Sequence, residues 1–398
     1  MTYTAAKRKR RIEEALMFPF VLLGRIAGHI FRLDTDHHIF LFYPNGDIGG
    51  SPQVNIDLAN CIKDKKPLVI FSKKPNNNEF REKYNIEGVR VLDIHKYIDH
   101  KLFHFVNFFF RGLLATWINK PAQAVVFGGE SIFFYKIIPH VKKEVHCVEL
   151  CHLDTWLPYS IGFIDRINCR VFSTENLRQK VIAQYRENDL PEAYLRKLFF
   201  YDNAIDIPDH LPTENEILQV YFIGRGVAQK RIHLVAAIAK HIYDKQLPVK
   251  FNFVGDVDKV MQTADYPYCK FFGNVKEEAQ MKRIYEEADV LLMTSSFEGL
   301  PVVIMQMMAY GKVIVSTAVN AIPDYIHHMK NGLLIQAVDE DKIIQEGTSY
   351  IEKLLQEPEL RKKLGDRSRE IAIKKFSREA FCSNYHKLLK LEVQYKNV

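Results

Sequence analysis

From residue 38 onward, short apolar runs alternate with longer segments of helical period. "HIFLFYP" (38–44), "PLVIFSK" (67–73), "RVLDI" (90–94), "AVVFGG" (124–129), "EVHCVEL" (144–150) and "RVFSTE" (170–175) are apolar almost without interruption. Such runs suit strands covered on both faces, as in parallel sheets. After the first run, Ser51 as N-cap and Pro52 at the first helical position predict a helix to about Asp64. The polar stretch "IDIPDHLPTENE" (205–216) reads as a linker. A second series follows it: "QVYFIG" (219–224), "VKFNFVG" (249–255), "CKFFG" (269–273), "DVLLMT" (289–294), "KVIVST" (312–317) and "GLLIQA" (332–337). Strands alternating with helices predict βαβ units, hence two α/β domains with parallel sheets facing one cleft. A chain of 398 residues has the length for two such domains. The expected division is a basic, apolar N-terminal segment (1–36), a first domain (37–207), a second (208–375), and a helix over 376–398 packing back on the first.

The segment before the first strand has a different pattern. "KRKRRIEEALMFPFVLLGRIAGHI" (7–30) sets five cations before an apolar run about half the length of a membrane span. It predicts a segment lying on an anionic membrane surface, with Pro19 breaking or kinking its helix. Glu13 and Glu14 before the run, and no A-x-A site after it, argue against a cleaved signal peptide. "KLFHFVNFFFRGLLATWI" (101–118) reads as a core helix or as a second interfacial surface. The formal charge of +7 is concentrated in the first 25 residues, which hold six cations against two acids. General nucleic-acid binding is therefore not expected. Six scattered cysteines, with no C-x-x-C and no zinc spacing, read as free thiols in a reducing compartment, and so a cytoplasmic protein.

Two places carry candidate chemistry. In "YFIGRGVAQKRIHL" (221–234) a strand ends at Gly224 and a helix starts near Arg231, with Arg225 and Lys230 in the turn between. Ligands of α/β proteins bind at this end of a strand, and two cations beside free helix N–H groups suit a diphosphate. Both cations read as turn residues rather than core residues, and a solvated basic turn is the plain alternative. A dinucleotide fingerprint fits poorly, because Gln229 stands at its third glycine. In "SSFEGLPVVIMQMMAYGK" (295–312), Pro301 at the first helical position and Gly311 as C-terminal cap bound a helix. Glu298 and the amides after Gly299, among them those of Leu300, Val302 and Val303, sit at its mouth. The alternative there is an acid that stabilises its own helix and a Gln306 on a solvated face. "LDTD" (33–36) precedes the first strand and reads as a polar turn rather than a metal site.

Together these stretches resemble the family-4 glycosyltransferases, which have the GT-B fold of two Rossmann-like domains. "EGLPVVIMQ" is similar to their E-x7-E signature and "GRGVAQK" to their G-R-x4-K donor-phosphate turn. "DIGGS" (47–51), "DNAID" (202–206), "FFGNV" (271–275) and "KNGLL" (330–334) follow in the family's order, and the resemblance runs from about residue 38 to 390. It implies a retaining, metal-independent glycosyltransferase using a UDP- or GDP-linked sugar as co-substrate, with no other cofactor. The acceptor would be a glycan or lipid-linked intermediate of surface polysaccharide, met at the inner face of the plasma membrane. Arg225 and Lys230 would hold the diphosphate, Glu298 and the amides after Gly299 the sugar and β-phosphate. Gln306 would meet the ribose, Asn274 and Val275 would lie near the base, and Gly49 and Gly50 under the phosphates or acceptor. His152, after "EVHCVEL", matches a histidine near the transferred sugar, with Asp154 as its orienting partner; a structural histidine is the alternative. Two departures stand out: Gln306 replaces the family's second glutamate, and "NAIPD" (320–324) replaces Gly-Gly-x-Pro-Glu. An epimerase or phosphorylase of the same architecture, or an inactive nucleotide-sugar-binding partner, are the rival readings.

Overall fold

The computed structural model describes residues 2–31, 33, 37–99, 104–211, 215–275, 277–298 and 300–391. The chain divides into two compact units, Met1–Asn203 with Phe381–Val398, and Ala204–Ala380. Each is built on a wholly parallel sheet. The first contains β1 (Ile39–Tyr43), β2 (Leu68–Phe71), β3 (Arg90–Asp93), β4 (Val125–Gly129), β5 (His146–Cys151), β6 (Cys169–Phe172) and β7 (Leu198–Phe200), in the order β3-β2-β1-β4-β5-β6-β7. The second contains β8 (Leu218–Ile223), β9 (Val249–Val254), β10 (Lys270–Phe271), β11 (Val290–Met293), β12 (Val313–Thr317) and β13 (Leu333–Ile335), in the order β10-β9-β8-β11-β12-β13. β1, β2, β4 and β5 are buried along their whole length, as unbroken apolar runs require. In each sheet the order reverses once, between β1 and β4 and between β8 and β11, which are the positions where such folds bind ligands.

The first unit has two additions. Helix α1 (Tyr3–Ile30) runs unbroken through Pro19, contrary to the expected break. The reason is its tight packing on the helix that carries the aromatic-rich stretch, α3 (His104–Ile118). A Cβ at Gly24 would lie 1.9 Å from the Phe109 carbonyl oxygen, and one at Gly112 1.9 Å from that of Val21. Gly28 approaches Thr116 in the same way, at 2.7 Å. These glycines bring the two backbones into contact on the C-terminal side of Pro19, and on the other side Arg10, bonded to the Gly162 carbonyl and to Asp165, holds the helix. Leu113, Leu114, Ala115 and Ile118 of α3 are buried, so the core reading holds for this half, while Phe105 is exposed. Nor do all five N-terminal cations face solvent. Arg10 donates two hydrogen bonds to Asp165, at 2.6 and 3.1 Å, and Lys7 pairs with the same carboxylate at 3.2 Å.

The second addition is α6 (Arg378–Leu388), whose residues from Phe381 on are part of the first unit. Tyr385 packs on Phe127 and Tyr201, and the His146 ring meets the Leu388 carbonyl. Cys382 is disulfide-bonded to Cys61 at the end of α2 (Gly50–Cys61). This corrects the expectation of six free thiols and removes the cysteine argument for a reducing compartment. The pair is 321 positions apart, and only the return of the last helix brings it together. Among the described residues, no helix is long and apolar enough to cross a membrane.

Candidate active site

The second unit assembles two turns at its switch point. After β8 the chain runs through Gly224–Lys230 to α4 (Ile232–Asp244); after β11 it runs through Thr294–Glu298 to α5 (Val302–Ala309). Hydrogen bonds stitch the turns together. Arg231 donates to the Thr294 and Ser295 carbonyls at 2.7 and 3.1 Å, the Ser296 amide donates to Gln229 at 2.9 Å, and Gln229 reaches the Phe297 carbonyl. Lys230 is drawn inward, 8% exposed, and forms an ion pair with Glu298, itself 7% exposed. This corrects the reading of both cations as turn residues outside the core: Lys230 is buried and paired across the stitched turns. Arg225 remains exposed and, among the described residues, has no ion-pair partner. Gly226 is required here, because a Cβ would lie 1.9 Å from the Asp256 carbonyl oxygen. The Asp256 carboxylate in turn accepts the Gly226 amide at 2.7 Å.

Pro301 takes the N-cap position with an extended backbone rather than the first helical position, so α5 starts one residue later than expected. Its first amides, those of Val302 and Val303, have no partner within the helix. Gln306 is half-buried on this helix between the buried Met305 and Met307. Asn320, the first residue of the departing "NAIPD" loop, has φ +46° and accepts the Glu298 amide at 3.2 Å. Asparagine tolerates the left-handed region better than other non-glycine residues. The loop therefore keeps a shape that glycine would also give. Asn274 is exposed and Val275 half-buried after β10. Gly299 lies outside the described residues, as do Asp34 to Asp36 of "LDTD".

In the first unit, carboxylates do the fastening. Asp47, in the loop after β1, accepts the amides of Asn76, Asn77 and Asn78 at 2.9–3.0 Å. Desolvation pushes its pKa up, but these N–H groups outweigh that and bring it down to about 2. Asp47 thereby fixes the loop that leads into Gly49 and Gly50 at the start of α2. Gly49 has extended backbone, and a Cβ at Gly50 would meet nothing within 4 Å. A Cβ at Gly49 would lie 3.3 Å from Pro52 Cδ, a tight contact, so only Gly50 is free of any demand from the chain's own packing. His152 follows β5, and its loop is held by Glu130, which accepts the His152 amide at 2.6 Å and that of Leu153 at 3.2 Å. Glu130 has φ +56° and a pKa raised by burial. The His152 Nε2 is buried without a partner among the described residues, and burial lowers its pKa to about 4. The side chain of Asp154 lies outside the described residues, so its suggested orienting role does not enter; Glu130, directly after β4, is the carboxylate that holds the backbone of this loop.

Sequence reasoning missed Asp47 and Glu130. The one signal available for Glu130 is its place directly after a buried strand.

Residues 218–353 match the family model described as glycosyl transferases group 1. The fold agrees with it. A glycosyltransferase from Rickettsia africae superposes with a TM-score of 0.69 at 12% identity, over 91% of this chain and all of that one. The chain resembles the group 1 glycosyl transferases, and its fold is GT-B. Anabaena Alr3699/HepE, solved in complex with UDP, superposes with a TM-score of 0.66 at 14% identity, over 89% of this chain and 99% of that one. In sequence, the chain is 25% identical over 237 residues to poly(ribitol-phosphate) alpha-N-acetylglucosaminyltransferase of Staphylococcus aureus, covering 57% of this chain. The match spans 45% of that relative's length, and the chain spans under half of the curated relatives it matches first.

Proposed function

We propose that the chain is a retaining glycosyltransferase. It would move a sugar from a UDP- or GDP-linked donor to a glycan or lipid-linked acceptor in cell-surface polysaccharide assembly, at the cytoplasmic face of the membrane. The observation that carries this reading is the stitched pair of turns, with Lys230, Glu298, Arg225 and the start of α5 at one switch point. Arg225 and Lys230 take the diphosphate. Glu298 and the amides of Leu300 and Val302 take the sugar and β-phosphate, Gln306 the ribose, and Asn274 and Val275 the base. Gly49, Gly50 and His152 in the first unit serve the phosphate and acceptor side. During transfer the bond from the anomeric carbon to the β-phosphate oxygen breaks, and a bond to the acceptor oxygen forms on the same face. The acceptor proton passes to the leaving diphosphate. Charge developing on that diphosphate meets cations and N–H donors already in place, so turnover is expected to survive excess EDTA.

The test is incubation with a panel of nucleotide sugars and a water-soluble glycan acceptor, with products read by NMR. The expected result is free nucleotide with a glycoside of unchanged anomeric configuration. An inverted glycoside overturns retention. An altered sugar nucleotide without glycoside supports an epimerase, and nucleotide binding without turnover supports an inactive partner.

A further inference from the structure

Helix α1 has a face that no described part of the chain covers. Its inner side, with Ala6, Arg10, Val21, Gly24 and Gly28, packs into the first unit. Its outer side carries Ile12, Leu16, Leu23, Ile26 and Ile30 on one stripe, each between 51% and 73% exposed. At 1.5 Å per residue the stripe is about 27 Å long. Single exposed apolar residues are ordinary, but a continuous row of this length marks an interaction surface. Arg8, Lys9 and Arg11 are exposed one turn before it. Of the two acids in this part of the chain, Glu14 pairs with the buried Arg10 at 3.1 Å and Glu13 with Lys9 at 4.0 Å, so neither carboxylate is free and, among the described residues, Arg8 and Arg11 have no ion-pair partner.

We propose that α1 lies in the plane of an anionic bilayer. The stripe sits at the boundary of headgroups and acyl chains, and Arg8, Lys9 and Arg11 lie among anionic headgroups. Charge decides the occupant. A second copy of this face would bring the same cations and no free carboxylate to receive them, whereas anionic lipid supplies the missing sign. The glycine seam gives the contact a consequence, because α1 and α3 touch backbone to backbone. A bilayer holding α1 therefore fixes the orientation of the whole first unit. This inference deepens the membrane-facing part of the proposed function and rests on it for its purpose.

The experiment is co-sedimentation of the full chain with vesicles of phosphatidylcholine, alone or mixed with phosphatidylglycerol, at low and high salt. The wild type is expected to bind the mixed vesicles and to bind neutral ones roughly 30-fold more weakly, the factor that two unpaired cations near an anionic surface supply. High salt should narrow that difference. L16E/L23E, at exposed positions, should stay in the supernatant while its circular dichroism is unchanged. R8E/R11E should lose the preference for anionic vesicles. The inference is overturned if the wild type ignores mixed vesicles at low salt. It is equally overturned if L16E/L23E binds like the wild type, or if light scattering shows a dimer that L16E/L23E dissociates. Turnover of a water-soluble acceptor is read in the same preparations. Vesicle binding without turnover upholds this inference and overturns the proposed function; turnover without vesicle binding does the reverse.

Discussion

At the carboxyl edge of the first sheet the loops are held by Asp47 and Glu130, each accepting backbone N–H groups. At the same edge of the second sheet the loops are held by cations: Arg231 donates to carbonyls, and Lys230 pairs with Glu298. The two edges share a topology and differ in fastening: carboxylates hold the first, while cations join Glu298 and Asp256 at the second. An anion such as a diphosphate is favoured at the second edge, where Arg225 is exposed and a helix begins. The first edge keeps a neutral histidine, since burial lowers the pKa of His152 to about 4. The fold therefore sets where ligands go, and the fastening residues set which charge each place accepts.

Removing Lys230 is the strongest way to break this contrast. Lys230→Ala leaves Glu298 buried without its cation, which costs on the order of 3–5 kcal/mol of stability. Turnover should fall by roughly 30- to 1000-fold as well. Arg225→Ala should show a similar turnover loss with an unchanged melting temperature, because Arg225 is exposed. Equal stability of the two variants would contradict the buried pair. Gly24→Ala comes next. Its methyl group collides with the Phe109 carbonyl, and overpacking of this kind costs about 1–3 kcal/mol. A melting temperature like that of the wild type would show that the seam yields.

The pH dependence has a definite sign. His152 binds its proton less readily folded than unfolded, so its contribution to stability is complete above its ordinary value of 6.5. That contribution is lost as pH falls from 6.5 towards 4, and denaturant titrations across this range should show it. In His152→Gln the loss of stability over that window should be smaller than in the wild type; an identical slope would remove His152 from the account. The smallest effect expected is from Gln306→Glu, which restores the acid usual in the resembling family. Nucleotide affinity should rise a few-fold with little change in melting temperature. A large stability loss without any gain in affinity would mean that this side chain packs rather than binds.

Most of both sheets is legible in the sequence, because most strands are buried on two faces and leave short apolar runs bounded by polar turns. β7 is the exception: its short run, Leu198–Phe200, directly follows Arg196 and Lys197 and is only partly buried, so it does not stand out from its surroundings. The cations and the glutamate of the second unit are legible because they lie in two local motifs. Their pairing is not, since Lys230 and Glu298 are 68 positions apart and meet only when β8 and β11 become neighbours. The same limit hid the Cys61–Cys382 bond and the Asp47 contacts to Asn76–Asn78. Pro19 misled for a related reason: its local effect is helix-breaking, and the α1–α3 packing that overrides it depends on glycines more than 80 positions apart.

The central claim is that the second unit holds a nucleoside diphosphate through Arg225 and the paired turns. Thermal unfolding of the wild type and of Arg225→Ala, each with UDP, GDP or ADP, tests it most directly. At 100 times its dissociation constant a bound nucleotide stabilises the folded chain by about 2.7 kcal/mol. We predict that UDP or GDP raises the melting temperature of the wild type, and that the same concentration leaves Arg225→Ala nearly unshifted. No shift with any nucleotide, or equal shifts in both proteins, would contradict the account.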